Sequence, residues 1–107
     1  MDLGRLIAPT GIAAGALFLI SIVSGFFYRR MRRVHAVTGY LCLAVVLFHS
    51  AAAVICNIIE PLGVLSSLGM IATILSGAFR RKRAHIALGI VTLMLTIAHV
   101  VIVAANN

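Results

Sequence analysis

Charge is scarce in this 107-residue chain: 10% of residues are charged, and only two of them, Asp2 and Glu60, are acidic. With 63% of residues hydrophobic, a soluble domain of this size would lack the polar surface that keeps it dissolved. The shortage of carboxylates also narrows the chemistry. Asp2 and Glu60 both lie at the edges of apolar stretches, so a proton-exchanging exporter, which needs a carboxylate within the membrane, is a weak reading. Cysteine is equally sparse. Cys42 and Cys56 form neither C-x-x-C nor C-x-x-C-H, which leaves a redox dithiol and a thioether-anchored cofactor without support. Both read as small buried hydrophobes.

What remains is organised by the few charges. They occur at Asp2 and Arg5, at 29–33, at Glu60 and at 80–83, and they leave the charge-free stretches 6–28, 34–59, 61–79 and 84–107. Each is long enough for a helix rising about 1.5 Å per residue to cross roughly 30 Å of hydrocarbon. Backbone groups in lipid need internal partners, which favours helices. The expected fold is all-α, a four-helix transmembrane bundle forming a single transmembrane domain, with helices at about 7–28, 34–56, 62–79 and 84–104. Pro9 falls in the first turn of the first helix and Pro61 suits the first turn of the third. No cleavable leader is expected, because the first apolar stretch is too long and a basic stop follows it. The net charge of +7 sits mostly in two short basic runs, expected as loops, where lipid headgroups and topology account for it. No basic stripe runs along a helix, so nucleic acid is not an expected partner. Basic residues near helix ends mark the cytoplasmic side. The expected location is therefore a bacterial inner (cytoplasmic) membrane, with both termini and Glu60 outside.

The chain also repeats itself. Ile22, Ser24, Gly25 and Phe27 match Ile74, Ser76, Gly77 and Phe79; His35, Gly39, Leu43 and His49 then match His85, Gly89, Leu93 and His99. The four helices thus read as two repeated helical hairpins of the same orientation, of the kind related by a pseudo-two-fold along the membrane normal. All four histidines lie in this repeat, as two pairs 14 residues apart. Fourteen residues at about 100° fall roughly 40° short of four turns, so each pair shares one helix face, with a rise of about 21 Å between its members. Two histidines that far apart cannot hold one metal, and each needs a partner from another helix.

Topology suggests that partner. The second and fourth helices both run away from a basic run, so His35 and His85 share one depth while His49 and His99 share another. Two parallel helices would then present two stacked bis-histidine sites, an arrangement suited to two haems. Haem brings four nitrogens of its own and asks the protein for one or two axial ligands, whereas zinc wants four ligands around one ion, and no Cys, Asp or Glu joins either pair. Ionisable groups within a membrane are costly and usually functional. Gly39 and Gly89, one turn past His35 and His85, would admit a flat macrocycle to the backbone; close helix packing is their other use. Gly11 and Gly15 form a G-x-x-x-G that reads as packing. Arg33 and Arg83, with Arg32 and Arg80 beside them, are candidates to pair with haem propionates. Thr38, Ser50, Thr92 and Thr96 are candidates to hydrogen-bond histidines or helix carbonyls.

With its two H-x13-H helices, the chain resembles the di-haem four-helix core of respiratory b-type cytochromes. The basic run, His and following Gly also resemble ferric-reductase-like and bacterial cytochrome b561-type membrane domains. The resemblance covers essentially the whole chain. Unlike in ferric reductases, no flavin or nicotinamide domain is expected after the fourth helix, and no quinone-site loop is visible. It implies two haem b groups, with His35 and His85 on the cytoplasmic-side iron and His49 and His99 on the outer one. It further implies transfer of electrons across the membrane within a larger redox complex, as a subunit rather than an enzyme alone. The expected partners are membrane lipid and other redox subunits or cytochromes, with quinone a candidate donor or acceptor. A pigment-binding or assembly protein, with histidine on chlorophyll magnesium, is the alternative.

Overall fold

The computed structural model of the chain describes residues 2–106. Among the described residues the secondary structure is helical throughout: a 3-10 turn, Leu3–Leu6, followed by α1 (Ile7–Phe26), α2 (Tyr28–Ile55), α3 (Pro61–Ala78) and α4 (Lys82–Ala105). All four α-helices are long and apolar enough to cross a membrane, and the chain is accordingly a membrane-spanning, all-α protein. It divides into two compact units, 1–58 and 59–107, each an antiparallel hairpin.

The helix ends follow from local chemistry. Asp2 accepts from the Gly4 N–H at 3.0 Å and opens the 3-10 turn. Glu60 accepts from the Gly63 N–H at 2.6 Å and caps α3, while Pro61, which lacks an N–H to satisfy, takes the first helical position. Asn57, at φ 55°, ends α2. The Ile58 and Asn57 N–H groups then fold back onto the Ala53 and Val54 carbonyls at 2.8 and 3.1 Å, which satisfies carbonyls that the helix leaves open.

The two basic runs differ. In the first, Phe27 (φ −109°, ψ 38°) and Met31 (φ −117°, ψ 28°) are both non-helical, so the chain reverses through a short helical turn at residues 28–30, and the arginines after Met31, good helix formers, already belong to the long helix. In the second hairpin the shorter run does make a turn. Arg80 adopts φ 59°, and the N–H groups of Arg81 and Arg80 bond the Ser76 and Gly77 carbonyls at 2.9 and 3.0 Å.

Each hairpin closes on small side chains. Ala14, Phe18, Ser21 and Ser24 of α1 are buried, with Cys42, Val46 and Ala52 of α2. The Cys42 thiol donates to the Ala14 carbonyl at 3.4 Å. In the second hairpin Ser66, Met70, Thr73 and Ser76 of α3 are buried with Thr92 of α4, and hydroxyl pairs tie the helices, Ser66 to Thr96 at 2.6 Å and Thr73 to Thr92 at 3.3 Å. Gly69 lets Thr92 press directly on the α3 backbone. Between helices in lipid, close backbone approach and hydroxyl bonds supply the attraction that hydrophobicity cannot.

A non-glycine residue in the left-handed region carries about 1–2 kcal/mol of strain, and a branched Cβ makes it worse. Arg80→Gly is therefore expected to raise the thermal midpoint in detergent and Arg80→Val to lower it; the reverse order would contradict the turn.

Candidate functional site

A histidine inside an apolar span must find a partner for its ring N–H, because no water is at hand to take it. His35 and His49 of α2 and His85 and His99 of α4 are each half-buried, and each engages Nδ1. His35 Nδ1 donates to the Ser21 carbonyl at 2.7 Å. His85 Nδ1 does the same to the Thr73 carbonyl at 2.6 Å, the position that corresponds in the repeat. His49 Nδ1 donates to the Ile7 carbonyl at 2.8 Å, with the Thr10 hydroxyl 3.2 Å away. His99 Nδ1 donates to the Glu60 carboxylate at 2.6 Å. A carbonyl or carboxylate only accepts, so all four rings carry their proton on Nδ1, and in the neutral ring Nε2 is then the nitrogen with the lone pair.

Four glycines make these contacts geometrically possible. A helical side chain lies over the turn before its own Cα, so the carbonyl of residue i is overhung by the side chain at i+4. Gly25 stands four residues after Ser21, Gly77 four after Thr73, and Gly11 four after Ile7. A Cβ at Gly25 would come within 3.0 Å of the His35 ring, one at Gly77 within 2.8 Å of His85, and one at Gly11 within 2.8 Å of His49. Gly63 is the fourth, with its Cβ position 2.7 Å from the His99 ring. There the carbonyl four residues back belongs to Ile59, which precedes the helix; α3 starts too late, and the capping carboxylate of Glu60 accepts the proton instead.

Buried hydroxyls reinforce two of the rings. Ser24 Oγ donates to the Ser21 carbonyl at 3.0 Å and Ser76 Oγ to the Thr73 carbonyl at 2.7 Å, so each of these carbonyls serves a hydroxyl as well as a ring. Ser21 Oγ also donates back to the His35 carbonyl at 3.1 Å. Tyr28 meets the His35 ring edge-on, with centroids 5.7 Å apart. At Glu60, partial burial alone would raise the carboxyl pKa. The hydrogen bonds from His99 and from the Leu62 and Gly63 N–H groups outweigh it and hold the group below its ordinary value, an anion at neutral pH.

The other sequence candidates are placed as follows. Gly39 faces Ser21 and Gly89 faces Thr73 within their own hairpins, where a Cβ would stand 3.5 and 3.6 Å from the nearest side-chain atom, an ordinary packing distance. Arg32, Arg33, Arg80 and Arg83 are exposed. Thr92 and Thr96 join the hydroxyl pairs between α3 and α4, and Thr38 donates to the Val34 carbonyl at 2.7 Å. The site residues that pattern reading missed are Gly11 and Gly63, Ser21 and Thr73, and Glu60. A usable signal was present: Gly11 and Gly25, like Gly63 and Gly77, are 14 residues apart, the same spacing as the histidines. Compared with known protein families, curated proteins and solved structures, the chain matches none.

Gly25→Ala and Gly77→Ala are expected to displace their rings and destabilise the protein by about 1–3 kcal/mol, the usual cost of overpacking. Gly15→Ala is the control, because nothing lies within 4 Å of its Cβ position; it should match or exceed the wild type. Thermal unfolding in detergent measures all three, and a harmless Gly25→Ala would refute the close seat.

Proposed function

We propose that this chain is a di-haem b-type cytochrome subunit that passes electrons across a membrane within a larger redox complex. The observation that carries the reading is the common protonation of four histidines, each with Nδ1 tied as a donor. Metal-ligating histidine almost always donates its other ring N–H in this way, which fixes the tautomer and the ring orientation. The donor set suits haem, which needs only axial ligands. His35 and His85 would supply Nε2 at the end near the basic runs, and His49 and His99 at the other. When bound, haem supplies one-electron chemistry. The protein's part is to orient the imidazoles, exclude water with apolar side chains and fix the charge around each site.

The remaining parts of the proposal follow from that core. Arg33 and Arg83 stand two residues before His35 and His85 and are free of ion pairs among the described residues, which makes them the candidates for the propionates. Gly39 and Gly89 would serve packing first and macrocycle approach second. A membrane in which the basic runs face the cytoplasm puts both termini outside, as in a bacterial inner membrane. The partners are lipid and other redox subunits or cytochromes, with quinone the candidate small-molecule donor or acceptor.

Haem stoichiometry by pyridine haemochrome, with oxidised and reduced spectra, tests the reading on the purified chain. Two low-spin b haems per chain are expected, and His49→Leu should lose one and keep the other. Haem content unchanged in His49→Leu would refute the ligand assignment. A chlorophyll spectrum would replace haem with the pigment reading, and an absence of any chromophore would overturn both.

A further inference from the structure

The four rings are held in two chemically different ways. His35, His49 and His85 donate to main-chain carbonyls, which are neutral dipoles. His99 donates to a carboxylate at 2.6 Å. That carboxylate is anchored, since the same oxygen accepts the Gly63 N–H at 2.6 Å and caps α3; it cannot swing away without uncapping the helix. In the repeat frame that aligns Gly11 with Gly63, Ala8 stands where Glu60 does. The opposite end of the same hairpin carries Arg80, Arg81, Lys82 and Arg83, the last two residues before His85. One hairpin thus places an anion at its His99 end and four cations at its His85 end.

We infer that Glu60 gives His99 imidazolate character, so that the haem on His99 has a lower reduction potential than the haem on His85. The inference rests on the haem reading above and adds the origin of a potential difference within it. A carboxylate that accepts the distal N–H of a ligating imidazole raises the basicity of that ligand. An electron-rich ligand and a negative charge one ring away both favour the ferric over the ferrous state. At the other end, the basic run favours the ferrous state. Both effects have the same sign. The thermodynamic drop for an electron then runs from the Glu60 end of the hairpin to its basic end. Glu60 is a positioning residue, since it acts through His99.

Redox titration of the full-length chain with its haems bound, followed in the reduced absorption bands, tests this. Two one-electron waves are expected. Glu60→Gln keeps an amide oxygen to cap α3 but removes the charge; it should move the lower wave upward at least tenfold in equilibrium constant, about 59 mV for one electron, and leave the upper wave in place. Glu60→Asp keeps the charge and should stay nearer the wild type than Glu60→Gln does. Both haems bound with neither wave moved in Glu60→Gln would overturn the inference, as would Glu60→Asp shifting as far as Glu60→Gln. His99→Leu gives an independent check: it should abolish the lower wave, and loss of the upper one instead would refute the assignment. A wild type that binds no haem would overturn the haem reading itself, a failure distinct from these.

Discussion

An imidazole N–H placed in hydrocarbon must be given an acceptor, and most of the local architecture answers to that requirement. Helix backbone carbonyls are already committed to their own ladder, yet each has a second lone pair. The histidines of α2 and α4 take that lone pair at Ser21, Thr73 and Ile7. Reaching it means pressing close against the neighbouring helix, where an ordinary side chain four residues on would stand in the way. Glycine at 11, 25 and 77 clears that space. The histidines on one helix therefore dictate the glycines on the other, and the 14-residue spacing of one set reappears in the other for this reason.

The same closeness governs packing within each hairpin. Small and hydroxyl-bearing residues at 14, 21 and 24, and at 66, 73 and 76, are buried against the partner helix, so the backbones approach far enough for the rings to reach across. Ser24 and Ser76 tie their hydroxyls to the very carbonyls that the histidines use. Where the fold breaks the pattern, the cause is local. Pro61 starts α3 at a point that leaves the carbonyl of residue 59 outside the helix, and Glu60, already its cap, accepts the His99 proton. A helix boundary thereby turns a neutral acceptor into a charged one.

Much of this is legible in the sequence. The four helices follow from uncharged stretches of membrane-spanning length, and Pro61 was correctly read as a helix start. The hairpin repeat follows from His, Gly and Ser recurring in register. Other features were hidden for physical reasons. Residues 29–33 read as a loop because they are charged; the chain does reverse there, between the non-helical Phe27 and Met31, but Arg32 and Arg33 already belong to the helix. Gly11 was read as half of a packing motif with Gly15, although only Gly11 lies under a ring. Gly63 carries no local signal of its own, because apolar matches are cheap in a chain so rich in them. Glu60 and His99 are 39 residues apart, and helix periodicity cannot reveal a contact made by a capping side chain across a hairpin.

Electron paramagnetic resonance of the oxidised, haem-loaded protein tests the central claim most directly, because it reports the axial ligands rather than the mere presence of a chromophore. Two histidines on each iron predict low-spin ferric signals that account for all the haem, with no high-spin component. A dominant high-spin ferric signal would mean one axial ligand or none, and would contradict ligation by paired histidines.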